Sequence, residues 1–185
     1  MRRLLVIPLV SALVGCGAQG AEPPDLASPG PDIGGLVVDL PQAGVRFQGP
    51  QAWRQAKGQA PLVVTLQAGT ATIAVWRYPR TEPLPTTRAA LVAAKESLVA
   101  ETKRRDPTFR VDTAGLLTVG GARAIQVLGT GRIDGRERRV RSTHAFANGA
   151  EIVIDAYARA EDFPRMDERV ISPLLGSLKI TKPKA

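Results

Sequence analysis

Hydrophobic and polar positions change their spacing several times along this 185-residue chain, and each change predicts a different element. Residues 45–48 (Val-Arg-Phe-Gln) alternate apolar and polar side chains, which is typical of a strand with one buried face. Residues 61–66 and 70–78 are rich in β-branched side chains and lie on either side of Gly69. These two segments therefore predict a β-hairpin.

A helical pattern follows the hairpin. Thr86 or Thr87 suits an N-cap position, and the alanine-rich sequence behind it favours a helix that ends near Arg105. The apolar face of this helix consists of Leu91, Ala94 and Leu98. The helix is therefore expected to pack against a sheet through that face.

Glycine-containing turns divide the next part of the chain into extended segments. There are four of them, at residues 109–119, 122–133, 137–147 and 150–158. They predict an antiparallel meander. Asn148-Gly149, at its last turn, favours a two-residue type I′ connection, in which both central residues have positive φ.

A second helix is expected from about Asp162, with Pro164 tolerated in its first turn. Its predicted buried face consists of Phe163, Met166, Val170 and Leu174. Residues 178–180 fit either a last short strand or the end of the helical packing. The order of strands, helix, strands and helix predicts an α+β fold, in which a long helix and a C-terminal helix pack on a mostly antiparallel sheet.

The first sixteen residues carry a targeting pattern. Two arginines, a short apolar run and small residues before Cys16 are typical of a secretory signal. The apolar run is shorter than the roughly 20 residues that a bilayer-spanning helix needs. One interpretation of this pattern is an ordinary signal peptide with a nearby cysteine.

Residues 13–16 (Leu-Val-Gly-Cys) resemble the lipobox of bacterial lipoproteins. The resemblance implies a signal peptide over residues 1–15, cleavage before Cys16, and acylation of Cys16 with fatty acids such as palmitate. It also implies an anchor on the outer side of the cell membrane or of an outer membrane. Residues 16–35 then predict a flexible proline- and glycine-rich tether, and residues 36–181 a single globular domain.

The charge of the chain changes which partners are expected. A net charge of +8 favours anionic surfaces, but export makes nucleic acid an improbable partner. The densest basic cluster surrounds the Asp134-Gly135 turn and consists of Arg132, Arg136, Arg138, Arg139 and Arg141. It is a candidate contact for anionic lipid or an acidic polysaccharide, or alternatively a solubilising edge that prevents strand-to-strand aggregation. The oligomeric state is left open.

One group of side chains has the composition of a catalytic site. If Ala147 pairs with Ala150 across the Asn148-Gly149 turn, then Ser142, His144 and Asp155 share one face of the sheet. Nucleophilic catalysis uses such a set. However, no sharp turn presents the serine and no adjacent loop supplies oxyanion donors, so a polar patch is the preferred interpretation.

Other chemistry is not indicated. A single histidine and a lipidated cysteine do not form a zinc set, and no nucleotide-binding motif is present, so no metal or cofactor is expected. Four aromatic residues near the first hairpin favour a core role over a ligand platform: Phe47, Trp53, Trp76 and Tyr78. Any ligand pocket is expected between that hairpin and the long helix.

Several landmarks resemble the PsbP-like fold, an α/β/α sandwich found in photosystem accessory proteins and in small bacterial lipoproteins of the LpqN type. They are the strand at residues 44–47 with Pro50 and Trp53 behind it, the long helix after the first hairpin, the turn at 119–124, and the closing segment 163–178. The resemblance covers residues 36–180. It implies a binding or accessory module and carries over no functional residue.

These observations lead to an ordered set of functional expectations. A lipid-anchored, non-catalytic envelope module that binds an envelope protein or a polyanion comes first. A carrier or sensor of an apolar or anionic small ligand is the alternative, which a pocket larger than about 300 Å³ would favour. A hydrolase that uses His144 is third.

Overall fold

The computed structural model describes residues 35–184, so the lipobox with Cys16 and nearly all of the predicted tether lie outside the described residues. Two antiparallel sheets organise the described part. The smaller sheet contains β1 (Leu36–Leu40), β2 (Val45–Gly49) and β10 (Lys179–Ile180). The larger contains β3 (Arg54–Lys57), β4 (Leu62–Ala68), β5 (Ala71–Pro79), β6 (Arg110–Val119), β7 (Ala122–Ile133), β8 (Arg136–Ala147) and β9 (Ala150–Ala158).

The larger sheet has the strand order β3-β4-β5-β9-β8-β7-β6. The predicted hairpin is β4–β5, and the predicted meander is β6–β9. Antiparallel pairing of β5 with β9 joins the two units into one sheet. In the smaller sheet β10 pairs with β2, so residues 179–180 form the short strand that was one of the two interpretations.

The long helix forms as predicted. Helix α1 spans Arg88–Arg105, and the hydroxyl of Thr87 accepts a hydrogen bond from the backbone N–H of Ala90 at 3.1 Å. This bond satisfies one of the free amide groups at the start of the helix. Three basic residues in the last turn, 103–105, complement the negative end of the helix dipole.

The C-terminal helical segment differs from the prediction in one respect. It consists of α2 (Phe163–Met166), a π-helical turn (Asp167–Ile171) and α3 (Ser172–Ser177). The π-helical turn holds one residue more than an α-helical turn, so Ile171 enters the core while Val170, predicted to be buried, is only partly covered. Met166 and Leu174 are buried as predicted.

The two faces of the larger sheet are covered unequally. One face packs against the smaller sheet and the C-terminal helical segment, and this layer holds the main core. On the other face, α1 packs mainly on β6 and β7, where Leu91 contacts Ile125 and Val127 in a second, smaller core. Strands β5, β8 and β9 are therefore left with room above them on the α1 side. No helix within residues 35–184 is long and apolar enough to cross a membrane.

Candidate functional site

A cavity of about 880 Å³ lies between α1 and the central strands of the larger sheet. Leu98 of α1 and Phe109, which follows that helix, form apolar walls on one side. Strands β7, β8 and β9 supply the apolar side chains of Ile125, Val127, Phe146 and Val153. Tyr78 of β5 also lines the cavity. The cavity therefore lies between the first hairpin and the long helix, where any pocket is expected from the sequence.

Two glycines of β7 shape one end of this cavity. A methyl group at Gly129 would lie 2.3 Å from the backbone oxygen of Arg110 and 2.6 Å from the ring of Phe109. At Gly131 it would lie 2.5 Å from the same ring. These positions stay free of side chains because Phe109 lies flat against the strand. Gly129 pairs with Val111, beside an irregularity of β6 between Val111 and Thr113.

Four side chains form a continuous hydrogen-bonded row at the floor of the cavity, called here the polar row: Glu151, His144, Ser142 and Asp155. Glu151 Oε1 lies 2.6 Å from His144 Nδ1, and His144 Nε2 lies 2.9 Å from Ser142 Oγ. Ser142 Oγ in turn lies 2.5 Å from Asp155 Oδ1. The guanidinium of Arg80 forms an ion pair with Glu151 Oε2 at the other end.

The hairpin register explains how this row forms. Ala147 pairs with Ala150, which places Ser142 opposite Asp155 and His144 opposite Val153, as predicted. Glu151 lies two residues before Val153 on the same face of β9 and is the second diagonal neighbour of His144. The predicted set was thus correct in three members and lacked Glu151, which the same register places beside His144.

Arg80 reaches the row through the backbone after β5. Its N–H donates to the carbonyl of Gly149 at 2.9 Å, which fixes Arg80 beside the β8–β9 turn. Burial alone would raise the pKa of Glu151, but its hydrogen bonds to His144 and Arg80 outweigh burial and hold that pKa below its ordinary value. Glu151 is therefore the ionised end of the polar row.

Asp155 is in the opposite situation. It is mostly buried, and burial raises the pKa of its carboxyl above the ordinary value. The hydrogen bond to Ser142 and the charge of His144 offset this only in part. The Trp76 indole approaches the same carboxyl, yet its buried N–H has no partner with hydrogen-bond geometry among the described residues.

Three hydrogen bonds join the four groups of the polar row, so three protons are shared among them. In one arrangement His144 carries both ring protons and Asp155 is ionised. In the other, His144 is neutral, and a protonated Asp155 donates to Ser142 Oγ, whose own proton points to His144.

The row has the acid–imidazole–hydroxyl order of a hydrolase triad, with Glu151 in the place expected for Asp155. Ser142, however, lies within a regular strand whose backbone amide groups are engaged in pairing with both neighbours. Within the described part of the chain, no turn or helix N-terminus directs amide groups towards its hydroxyl to stabilise an oxyanion.

The five predicted arginines do not form one surface. Arg139 forms an ion pair with Asp112 and lies 5.9 Å from the centre of the Phe163 ring, while Arg141 binds Asp167 at 2.5 Å, next to the C-terminal helical segment. The other three lie nearer the Asp134-Gly135 turn. Arg136 and Arg138 pair with Ile133 and Gly131, which line the cavity face, and Arg132 pairs with Glu137. The contact with an anionic surface remains a prediction.

The aromatic residues separate into two groups. Phe47 is buried in the main core and Trp53 packs partly against it, as a core role requires. Trp76 and Tyr78 instead lie on the cavity face of β5 and stack with ring centres 6.3 Å apart. Within residues 35–184, no group of three histidine, cysteine or acidic residues is arranged to hold a metal ion.

Comparison with known proteins establishes the fold. No protein-family model matches the sequence. No curated protein matches it. Cyanobacterial PsbP (CyanoP) from Synechocystis sp. PCC 6803 is similar in structure, with a TM-score of 0.61 and 10% identity over 79% of this chain and 92% of that one.

Two further solved structures are similar. LpqN, involved in cell envelope biogenesis of Mycobacterium tuberculosis, has a TM-score of 0.54 and 18% identity over 74% of this chain and 83% of that one. The Ran-binding protein Mog1p of Saccharomyces cerevisiae has a TM-score of 0.53 and 10% identity over 81% of this chain and 97% of that one. At these identities the likeness concerns the fold alone: the domain has a PsbP-like α+β fold, as the landmarks predicted.

Proposed function

We propose that this chain is an exported, lipid-anchored binding protein of the cell envelope, which holds a small ligand with an apolar part between α1 and the larger sheet. The cavity carries the proposal. Its volume of about 880 Å³ lies within the range of roughly 300–1,000 Å³ that is usual for ligand sites. Its composition, apolar walls around a few converging polar groups, is also typical of such sites.

The location of the protein rests on other observations. The N-terminal pattern that ends at Cys16 predicts export and acylation. LpqN, whose domain has the same fold, is involved in cell envelope biogenesis, which supports placing this chain in a similar compartment. An envelope protein or a polyanion as the partner is still compatible with this fold, but the cavity favours a small ligand and a non-catalytic role.

A saturable fluorescence titration with Nile red, a neutral apolar probe, tests whether the cavity accepts ligands. Ser97 lines the cavity on α1, whereas Ala100 is exposed about one turn further along the same helix and does not line the cavity. Ser97→Trp is expected to weaken Nile red binding at least about tenfold, because the indole occupies the cavity. Ala100→Trp, the matched control, is expected to leave the affinity within about twofold.

Two results would contradict the proposal. The first is the absence of saturable Nile red binding to the wild-type protein. The second is an equal effect of the two tryptophan substitutions, because this would place the bound dye outside the cavity.

A further inference from the structure

The charges around the cavity are almost, but not fully, balanced. Its acidic lining residues are Glu101, Asp106, Glu151 and Asp155, and its basic ones are Arg80, Arg105 and Arg132. Glu151 binds Arg80, and Glu101 binds Arg105 at 2.8 Å. Asp106 accepts the backbone N–H of Arg132 at 3.0 Å, and the charge of that arginine also acts on it. Asp155 is the acid that remains without an arginine partner, and the nearest group that can carry a positive charge is His144.

The lack of an arginine partner affects Asp155 strongly, because its carboxyl is mostly buried. The side chains directly opposite it are Ala74 on β5 and Ser142 on β8. Only Oδ1 of its carboxyl is engaged, by Ser142, and among the described residues no donor bonds Oδ2. A carboxylate removed from water and without a countercharge is strongly disfavoured, so the site either binds a proton or binds a cation.

Aromatic residues occupy positions near Asp155 on the same face of the sheet. Trp76 is its diagonal neighbour on β5 and stacks on Tyr78, and Tyr157 follows it by two residues on β9. The negative faces of such rings attract organic cations, and Trp and Tyr are the most effective. Tyr78 and Tyr157 line the cavity together with Asp155.

We propose that the cavity binds an organic cation, an amine joined to an apolar group, whose ammonium supplies the missing countercharge at Asp155. This inference rests on the proposed function, since it specifies the ligand of the same cavity. The arginines at the edge of the cavity do not oppose it. Each has an acidic partner: Arg80 binds Glu151, Arg105 binds Glu101, which also binds Arg104, and Arg132 lies near Asp106.

Binding of the cation exchanges it for a proton. Before the ligand binds, the polar row holds three shared protons. When the ammonium binds the Asp155 carboxylate, one of these protons leaves to solvent. The other two remain on His144 Nδ1 and on Ser142 Oγ. The row keeps two hydrogen bonds, in which His144 Nδ1–H donates to Glu151 and the Ser142 hydroxyl donates to His144 Nε2. One proton is therefore released for each cation bound, and affinity rises with pH until Asp155 is fully ionised.

Other titratable groups face the same space from every neighbouring element. They are Tyr78 on β5, Arg80 after it, Glu101 and Arg105 on α1, Asp106 after it, Arg132 on β7, His144 on β8, and Glu151 and Tyr157 on β9. Hydrogen bonds lower the pKa of Glu101 and Asp106, and that of Glu151 is lowered too, so these acids are already ionised where Asp155 titrates. Burial and the nearby acids raise the pKa of Tyr78.

Calorimetric titration of the full-length protein with three ligands of matched shape tests this inference. Tryptamine is the cation, tryptophol the neutral analogue and indole-3-acetate the anion. At pH 8 tryptamine is expected to bind at least about tenfold more tightly than tryptophol, and indole-3-acetate more weakly than both. Titrations in buffers of different ionisation enthalpy, repeated from acidic to mildly basic pH, are expected to show proton release with tryptamine that declines as pH rises, and none with tryptophol.

Asp155→Asn keeps the shape and the Ser142 contact but removes the charge. It is expected to reduce tryptamine affinity to that of tryptophol and to abolish proton release. Asp39→Asn is the matched control, because Asp39 is exposed on β1 of the smaller sheet. It is expected to change neither quantity.

The outcomes separate the two proposals. Equal binding of tryptamine and tryptophol, or tighter binding of indole-3-acetate, would overturn the cation while leaving a ligand cavity. If Nile red and all three indoles failed to bind, the cavity function itself would be wrong. Proton release unchanged in Asp155→Asn would also overturn the role of Asp155, irrespective of affinity.

Discussion

Gly129→Ala tests the close approach that shapes the cavity end. The added methyl carbon would lie 2.3 Å from the backbone oxygen of Arg110, which is about 1 Å closer than an ordinary contact between carbon and oxygen. It would also lie 2.6 Å from the Phe109 ring, so β6 and the ring must both move. Overpacking of this kind costs about 1–3 kcal/mol.

Gly115→Ala is the matched control, because it makes the same substitution on the neighbouring strand. Nothing lies within 4 Å of a methyl group there, and neither glycine has a positive φ. Alanine should therefore stabilise the protein at Gly115 by about 0.4–1 kcal/mol, through reduced freedom of the unfolded chain. Thermal unfolding followed by circular dichroism is the measurement.

The expected shifts have opposite signs. At about 2–4 °C per kcal/mol for a protein of this size, Gly129→Ala lowers Tm by roughly 2–12 °C and Gly115→Ala raises it by roughly 1–4 °C. A Tm for Gly129→Ala at or above the wild-type value would refute the steric argument. An equal fall in both variants would show that strand glycines matter for a reason other than the approach of Phe109.

Three further predictions concern charge and attachment. Glu151→Gln should lower the free energy of unfolding at pH 7 by about 1–3 kcal/mol. Because the pKa of Glu151 is lowered from its ordinary value of 4.5, the ionised carboxylate stabilises the fold above pH 4.5, and the difference between variant and wild type should shrink as pH falls below that value. Urea unfolding at pH 7 and pH 3 measures this difference. Cys16→Ser should abolish incorporation of labelled palmitate, whereas retained label would reject the lipobox, since the chain has no other cysteine. Arg136→Ser combined with Arg138→Ser should weaken sedimentation with phosphatidylglycerol vesicles about tenfold, and unchanged sedimentation would exclude this surface from membrane contact.

Local pattern was sufficient to predict most elements of this fold. The alternation at residues 45–48, the N-cap at Thr87 and the glycine turns of the meander each fix a structure within a few neighbouring residues. Strand β3 (Arg54–Lys57) was missed because all four of its residues are exposed and no apolar alternation marks it. The pairing of β5 with β9 was missed for another reason: it joins segments about 80 residues apart, and no local signal specifies it.

The buried face of the C-terminal helical segment shows a different limit. A regular helical period predicts Val170, whereas the π-helical turn places Ile171 in the core. One extra residue in a turn rotates everything beyond it by about 100° relative to a continuous α-helix. Such a turn is set by packing at both of its ends, so the hydrophobic period alone does not reveal it.

The candidate site was predictable to the extent that one hairpin determines it. The turn at Asn148-Gly149 fixes the register, and the register brings Ser142, His144 and Asp155 together. Glu151 was within reach of the same reasoning, as the other diagonal neighbour of His144. Arg80 was not, because its position depends on a backbone bond to the β8–β9 turn from a segment distant in sequence.

The unequal covering of the larger sheet has an evolutionary consequence. Along β9, Ile152, Ile154 and Ala156 belong to the main core, while Val153 and Asp155, on the alternate positions, line the cavity. Substitutions at one set of positions therefore need not disturb the packing of the other. Single replacements on the cavity side can therefore change what the chain binds, while residues that never contact the ligand maintain the free energy of folding. The same scaffold can thus acquire new ligands in small, separately tolerated steps.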